Sequence, residues 1–149
     1  MGTRSAIGVM HGDKVKAVYC HWDGYLEHNG KILQESYDSP KTNELVSMGN
    51  MSSLGAEIGE KHPFDNPYDF RTPEYEAHKA KYGDMCTFYG RDREEEDQEY
   101  IVVESAKEMF NKFSWCEFFY VMKDGVWYVS EGAEWRLLTD ALADLKEEA

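Results

Sequence analysis

The sequence has few cysteines, and their arrangement argues against a disulfide framework. Cys20, Cys86 and Cys116 are widely spaced, odd in number and without a Cys-x-x-Cys pair. A short secreted chain held together by disulfides normally carries an even number of cysteines. We therefore expect three reduced thiols, mostly buried, because free cysteine packs as a small apolar residue.

The sequence also lacks long apolar runs and targeting signals. No stretch approaches the roughly 20 apolar residues that a membrane span requires. The N-terminal segment "MGTRSAIGVMHGDK" has no basic region, long apolar region or small-residue cleavage site of a signal peptide. These absences predict a soluble, cytoplasmic protein without membrane partners.

Basic residues are scarce in relation to acidic ones. The chain has 16 Lys and Arg against 29 Asp and Glu, a net charge of −13, and most of this excess follows residue 48. Because nucleic-acid affinity depends on basic side chains that displace counterions, we expect no direct nucleic-acid binding. The charge favours a partner protein with a basic surface, such as one that binds nucleic acid. Alternatively, the acidity serves only solubility.

Signatures of catalysis are missing as well. The sequence has no Gly-x-Ser-x-Gly elbow, no Gly-x-x-x-x-Gly-Lys loop and no His-x-x-x-His pair. His11, His62 and His78 are scattered along the chain. We therefore predict a non-enzymatic protein with no catalytic residues, no metal and no cofactor.

What the chain does contain is alternating apolar sequence around two turns. Hydrophobic residues make up 42% of the 149 residues and aromatic residues 14%, enough for one packed core. Alternation on both sides of Gly12-Asp13 predicts a β-hairpin, and so does "WCEFFYVMKDGVWYVS", in which Gly125 can adopt the positive φ of the turn.

Helical spacing and turn residues predict the remaining elements. Helices are expected at 27–37, after Pro40 with Thr42 or Asn43 as the cap, at 73–82, at 105–113, and at 138–149. Short strands are expected in "MCTFYG" and "YIVVE", an exposed charged loop in "RDREEEDQE", and an irregular loop or insertion at 49–73, where three glycines and three prolines lie. The prediction is a single α+β domain over residues 1–149, with a mostly antiparallel sheet built from hairpins and with helices packed on it.

The stretch "AVYCHWDGYLEHNG" concentrates residues with chemical potential. Neighbours on a strand point to opposite faces, so Cys20 and His21 cannot pair. His21 and Asp23 would share a face if the strand continued, which would suit an oriented base. Asp23-Gly24 is equally typical of a simple turn.

Aromatic residues around this turn allow two interpretations. Trp22 and Tyr25 could stack on a nucleotide base while arginines bind its phosphate, or they could form an apolar plug between hairpin and helix. The candidate ligand pocket consists of Arg4, His21, Trp22, Asp23, Tyr25, Tyr89, Arg91 and Arg93.

An acidic run follows Arg91 and Arg93. Such a run is usually a solvated loop, but carboxylates in a row can also imitate nucleic-acid phosphates toward a basic partner. The candidate partner-binding residues are Glu94, Glu95, Glu96, Asp97 and Glu99.

Three segments resemble a family of small proteins from tailed bacteriophages and prophages. They are "TRSAIGV…VYCHWDGYLEHNGKIL" at 3–33, "LVSMGNMSSLG" at 45–55 and "CTFYGRD" at 86–92. The resemblance implies a phage protein that acts inside an infected bacterium, against host functions or immunity. It transfers no catalytic residue.

Three functional hypotheses follow. The leading one is a non-enzymatic phage accessory protein that inhibits a host factor, such as a CRISPR-like defence complex, through an acidic surface that mimics nucleic acid. The second is a protein that sequesters a nucleotide signal. The third is a small nucleotide hydrolase dependent on a metal or a cysteine.

Overall fold

The computed structural model describes the backbone of residues 3–148 and the side chains of residues 3–145. It confirms the predicted α+β class: a single mixed, mostly antiparallel sheet carries helices on its faces. The strands are β1 Ser5–His11, β2 Lys14–Cys20, β3 Met51–Ser53, β4 Thr87–Phe88, β5 Ile101–Val103, β6 Phe118–Lys123, β7 Val126–Ser130 and β8 Arg136–Leu137.

Both predicted hairpins form the centre of the sheet. The order is β4-β3-β2-β1-β6-β7-β8, and β5 pairs with the outer edge of β2 beside β3. β1 and β6 run parallel, which joins the two hairpins into one sheet. In the second hairpin Asp124 and Gly125 have φ values of 51° and 79°, so both residues, rather than glycine alone, adopt the left-handed conformation of the turn.

The helices flank this sheet. A π-helical turn, Leu26–Gly30, leads into α1 Lys31–Ser36. The others are α2 Ser39–Ser47, α3 Pro73–Tyr82, α4 Tyr89–Arg93, α5 Glu108–Lys112 and α6 Leu138–Glu148. None of the helices in the described part of the chain is long and apolar enough to cross a membrane.

Two apolar clusters hold the layers together. On one face, Ile7, Val18 and Tyr120 of the central strands pack with Leu33 of α1 and Leu138 of α6, all fully buried. On the other face, residues including Val15, Met109 and Phe119 form a smaller cluster under α5. Each fully buried aliphatic side chain contributes roughly 1.5–3 kcal/mol, so the larger cluster dominates stability.

Three local predictions were wrong. Asp38, not Thr42 or Asn43, caps α2, because its carboxylate accepts the amide of Lys41 at 3.0 Å. The segment 49–73, expected to be irregular throughout, contains β3, since Met51 pairs with the end of β2.

The third wrong prediction concerns "RDREEEDQE", which is not an exposed loop over its whole length. Its first residues belong to α4, and Asp92 is buried. The reason is the hydrogen-bond network described below.

Candidate functional site

Cys20 and His21, the two reactive side chains of "AVYCHWDGYLEHNG", lie on opposite faces at the end of β2. Cys20 is fully buried, and its thiol donates to the carbonyl of Trp22 at 3.6 Å. His21 lies on the opposite face, where its Nδ1 is 2.7 Å from the hydroxyl of Tyr19. Strand alternation predicts this separation. Burial raises the pKa of Cys20 to about 12, which keeps the thiol protonated.

The turn after β2 is anchored to the centre of the sheet. Asp23 has a φ of 57°, and Gly24 donates its amide to Thr3 at 2.7 Å. The buried hydroxyl of Tyr120 donates to the Gly24 carbonyl at 2.5 Å. A Cβ on Gly24 would lie 2.7 Å from the Cβ of Ser5, so this glycine is required for close packing.

A buried amide completes this anchoring. Asn29 is fully buried, and its Nδ2 donates to Ser5 Oγ at 3.3 Å and to the Trp22 carbonyl at 3.4 Å. Its backbone amide donates to the Asp23 carbonyl at 3.2 Å. The segment from Trp22 to Asn29 is therefore held by internal hydrogen bonds, which fix the backbone at Trp22.

The second motif, "CTFYGRD", builds a buried network around Asp92. The carboxylate of Asp92 accepts the backbone amides of Phe88 at 2.8 Å and His62 at 3.1 Å. It also accepts Arg91 Nε at 3.0 Å, and the Asp92 side chain has no solvent exposure. We call His62, Phe88, Arg91 and Asp92 the buried network.

Arg91 connects this network to the long segment after β3. Its guanidinium donates to the carbonyls of Ile58 at 2.9 Å, Gly59 at 3.1 Å and Cys86 at 2.9 Å. The hydrogen-bonding capacity of the guanidinium is thus used inside the protein. Arg91 is a structural clamp, although its sequence position also suggested a phosphate ligand.

His62 was not recognised from the sequence as part of a site. Its ring stacks on Tyr82 with centroids 5.3 Å apart, Nδ1 lies 2.8 Å from the Glu60 carbonyl, and Nε2 lies 3.3 Å from the Thr87 hydroxyl. Tyr82 and Thr87 lie 20 and 25 positions away along the chain, so no local pattern could have revealed these two contacts.

Beside the buried network lies a concave surface of about 340 Å³, which we call the cleft. Four residues predicted for the ligand pocket line it: His21, Trp22, Tyr89 and Arg93. Ligand sites in proteins typically measure about 300–1,000 Å³, so the cleft is large enough for a small molecule.

Five further residues of the cleft were missed from the sequence. All but one lie in the segment interpreted as an irregular loop. The pairing of β3 with β4 aligns Ser53 with Thr87, and the buried network holds the segment that precedes Phe64. They are Ser52, Ser53, Phe64, Asp65 and Thr87.

One wall of the cleft is presented by α4. Tyr89 and Arg93 are four residues apart and therefore share a helix face. The ring of Phe64 lies 5.7 Å from that of Tyr89 and 4.9 Å from the guanidinium carbon of Arg93. Burial raises the pKa of Tyr89, so its hydroxyl remains a hydrogen-bond donor at neutral pH.

Another part of the lining comes from His21 and Trp22, directly after the end of β2. Trp22 is 43% exposed and meets the ring of His21 edge-on, with centroids 4.6 Å apart. Burial, and secondarily the positive charge of Arg4, lowers the pKa of His21. The imidazole is therefore neutral at neutral pH, and the lining of the cleft includes the aromatic rings of Trp22, Phe64 and Tyr89.

The remaining residues predicted for the ligand pocket do not line the cleft. Arg4 is exposed and close enough for its charge to act on His21. Asp23 and Tyr25 interact with each other, and the negative charge of Asp23 raises the pKa of the Tyr25 hydroxyl. Arg91 belongs to the buried network.

The acidic run is exposed along its whole length, and two of its charges are paired. Lys61 Nζ lies 2.6 Å from Glu94 and lowers the pKa of that carboxyl group. Arg93 Nε lies 3.2 Å from Glu95. The exposed carboxylates are those of Glu94, Glu95, Glu96, Asp97 and Glu99.

The other cysteines resemble Cys20 in their chemistry. Burial raises the pKa of Cys116 to about 12 and raises that of Cys86. Protonated thiols are weak nucleophiles. In the part of the chain that the structure describes, no group of three or more His, Cys, Asp or Glu residues is arranged to hold a metal ion.

Comparison with protein-family models, curated proteins and solved structures found no match to this chain. The residues of the cleft are therefore what indicates its chemistry. They form a cleft with aromatic walls, hydroxyl groups and an arginine, which suits binding of a small aromatic anion.

Proposed function

We propose that this protein is a non-enzymatic binding protein that sequesters a nucleotide in the cleft. The observation that carries the proposal is the convergence of Trp22, Tyr89 and Arg93 around one cavity of about 340 Å³. These residues come from two segments of the chain nearly 70 positions apart, and they supply both an aromatic platform and a cation.

Each part of a nucleotide has a chemical counterpart in the cleft. A base can stack on an exposed aromatic ring, a contact worth about 1–3 kcal/mol. The planar guanidinium of Arg93 can bind a phosphate through two hydrogen bonds. Ser52, Ser53 and Thr87 provide hydroxyl groups that can bond to a sugar or to the edge of a base.

The overall charge of −13 is compatible with a small anionic ligand. A nucleic acid carries a continuous row of phosphates that an acidic surface repels, whereas a nucleotide presents its charge only at the cleft. There Arg93, which also pairs with Glu95 at 3.2 Å, supplies the positive charge. The proposal thus combines nucleotide binding with no affinity for DNA or RNA.

The phage resemblance supplies a biological setting. In the cytoplasm of an infected bacterium, a protein that binds a nucleotide signal without consuming it would lower the free concentration of that signal. This would inhibit any host defence that depends on the signal. Sequestration requires an amount of protein comparable to that of the nucleotide, not turnover.

Isothermal titration calorimetry with a panel of ribonucleotides tests the proposal. We expect saturable binding of at least one ligand, and a loss of ten-fold or more in affinity for Arg93→Gln. Arg71→Gln is the matched control, because Arg71 is also exposed and paired with a nearby acid, Asp69, at 3.0 Å, but lies outside the cleft. Equal loss in both variants, or no binding at all, would contradict the proposal.

A second function is favoured by the acidic run, which presents five exposed carboxylates beside the cleft. In this alternative the protein inhibits a host protein whose basic, nucleic-acid-binding surface meets these carboxylates. The partners already made by Glu94 and Glu95 reduce the charge available.

Replacement of Glu94, Glu95, Glu96 and Asp97 by Ser tests this alternative. A pull-down from host lysate should lose a salt-sensitive partner, while serine substitution of the exposed Glu74, Glu76, Glu131 and Glu134 should retain it. Binding that survives the first set of changes and is insensitive to salt would exclude nucleic-acid mimicry.

A further inference from the structure

A second cavity of about 200 Å³ adjoins the cleft. The two share Phe64, Asp65 and Thr87 as a common wall. The part of the second cavity that the cleft does not share is lined by α3, a helix without a single fully buried residue. Its inner face is aromatic: Tyr75, His78 and Tyr82 are spaced three and four residues apart and all line the cavity.

The second cavity contains a buried polar atom without a hydrogen-bond partner among the described residues. This atom is Nε2 of His78. Buried polar atoms in folded proteins are almost always paired, so an exception calls for an explanation. The rings of Tyr68 and Tyr82 approach the imidazole edge-on, at 6.0 and 4.8 Å, and hold it in place.

We propose that the cleft and this second cavity are two subsites of one site, and that the ligand is a dinucleotide. The inference rests on the proposed function and specifies its ligand class. One base stacks beside Trp22 in the cleft, and the other enters the cavity under α3, where its edge pairs with Nε2 of His78.

The wall that the two subsites share suits the phosphate linkage between the two nucleotides of the ligand. Phe64 packs against Arg93, so a ligand that crosses this ring passes beside the guanidinium. That position suits a phosphate linkage, which is anionic and accepts hydrogen bonds from arginine. Lys79 lines the second cavity and can neutralise a further phosphate. Asp65, exposed at the wall, can accept a hydrogen bond from the amino group of a base.

The test compares a mononucleotide with the 3′,5′-linked dinucleotide of the same base, in linear and cyclic form. We expect at least one of the two dinucleotide forms to bind ten-fold or more tightly than the mononucleotide. His78→Phe keeps a ring of similar shape but removes the nitrogen, and it should abolish most of this advantage without weakening the mononucleotide. Phe70→Ala, which changes a 70% exposed ring outside both cavities, is the control and should alter neither affinity.

The outcomes separate the two proposals. If the mononucleotide binds and neither dinucleotide binds more tightly, the bipartite site is wrong while nucleotide sequestration stands. The same conclusion follows if His78→Phe weakens mononucleotide and dinucleotide equally. If neither ligand class binds, both proposals fail. Circular dichroism of each variant confirms that the fold is retained.

Discussion

Arg91 and Arg93 lie two residues apart on the same short helix, yet they serve different parts of the molecule. Arg91 is 13% exposed and hydrogen-bonds to three backbone carbonyls and to Asp92. Arg93 is 56% exposed, rests on the ring of Phe64 and lines the cleft. One sequence motif therefore supplies both the support of the site and its surface.

The difference between Arg91 and Arg93 shows how the cleft is positioned. The buried network holds the segment around Ile58 and His62 against the start of α4. Phe64 follows directly after that segment and forms part of the cleft. A change in the buried network should therefore affect stability first, whereas a change in the cleft should affect binding alone.

The largest effect is expected from removal of the carboxylate at the centre of the buried network. Asp92→Ala leaves the Arg91 guanidinium and two backbone amides without their acceptor. Loss of one partner from a buried ion pair costs roughly 3–5 kcal/mol. Urea denaturation measures this as a fall in the free energy of unfolding.

Asp69→Ala is the control for this experiment, since Asp69 pairs with the exposed Arg71. It should change stability very little, because exposed ion pairs contribute little. Similar stability of the two variants would show that the buried network is not what holds the site.

The next effect concerns the cleft itself. Trp22→Ala removes the exposed ring at the wall and should weaken nucleotide binding by about 1–3 kcal/mol, the usual worth of base stacking. Trp115 is a matched control, because it is 49% exposed, is also close to the end of β2 through Tyr19, and lies outside the cleft. Calorimetry should find normal affinity for Trp115→Ala. Equal losses for both tryptophans would place the ligand elsewhere.

An effect of similar size, on stability instead of binding, is expected at the Asp23-Gly24 turn, where the hydroxyl of Tyr120 holds the backbone. Tyr120→Phe removes the hydroxyl that donates to the Gly24 carbonyl, and leaves that buried acceptor unpaired. Such a loss costs about 1–3 kcal/mol of stability. Tyr128→Phe, in the neighbouring strand, should be nearly neutral, because this side chain is only half-buried. Thermal or urea denaturation of both variants provides the comparison, and equal stabilities would argue that the turn does not depend on Tyr120.

The smallest effect is on proton binding at the cleft. Burial and the charge of Arg4 lower the pKa of His21 below its ordinary value of 6.5. The folded state therefore resists protonation, and its stability falls as the pH drops below 6.5, where the unfolded state takes up the proton first. Arg4→Gln should raise the pKa of His21 in an NMR titration. An unchanged or lower value would exclude a contribution from Arg4.

Local sequence patterns predicted much of the fold. The alternation around Gly12-Asp13 and Asp124-Gly125 specifies both hairpins without reference to the rest of the chain, and Pro73 and Gly83 mark the ends of α3. The cap of α2 was assigned incorrectly because Asp38, Thr42 and Asn43 are all residue types that favour this position.

The site was only partly predictable. Trp22 was identified as an aromatic residue beside the Asp23-Gly24 turn, and Tyr89 and Arg93 as aromatic and basic residues directly before the acidic run. The burial of Asp92 was missed, since a carboxylate in a charged run looks the same in the sequence whether it is solvated or bound by the amide of His62, 30 residues away. Ser52 and Thr87 join the cleft only through the pairing of short strands, which has no clear sequence signal.

The central claim, that a nucleotide binds at Trp22, can be tested directly by NMR. The four tryptophans give four indole N–H resonances, and that of Trp127 reports on the core, where Nε1 donates to the Tyr37 carbonyl at 3.1 Å. On titration with the tightest nucleotide, we predict that the Trp22 signal shifts while those of Trp115 and Trp127 stay in place. A stationary Trp22 signal at saturation, or a shift confined to the other tryptophans, would contradict the claim.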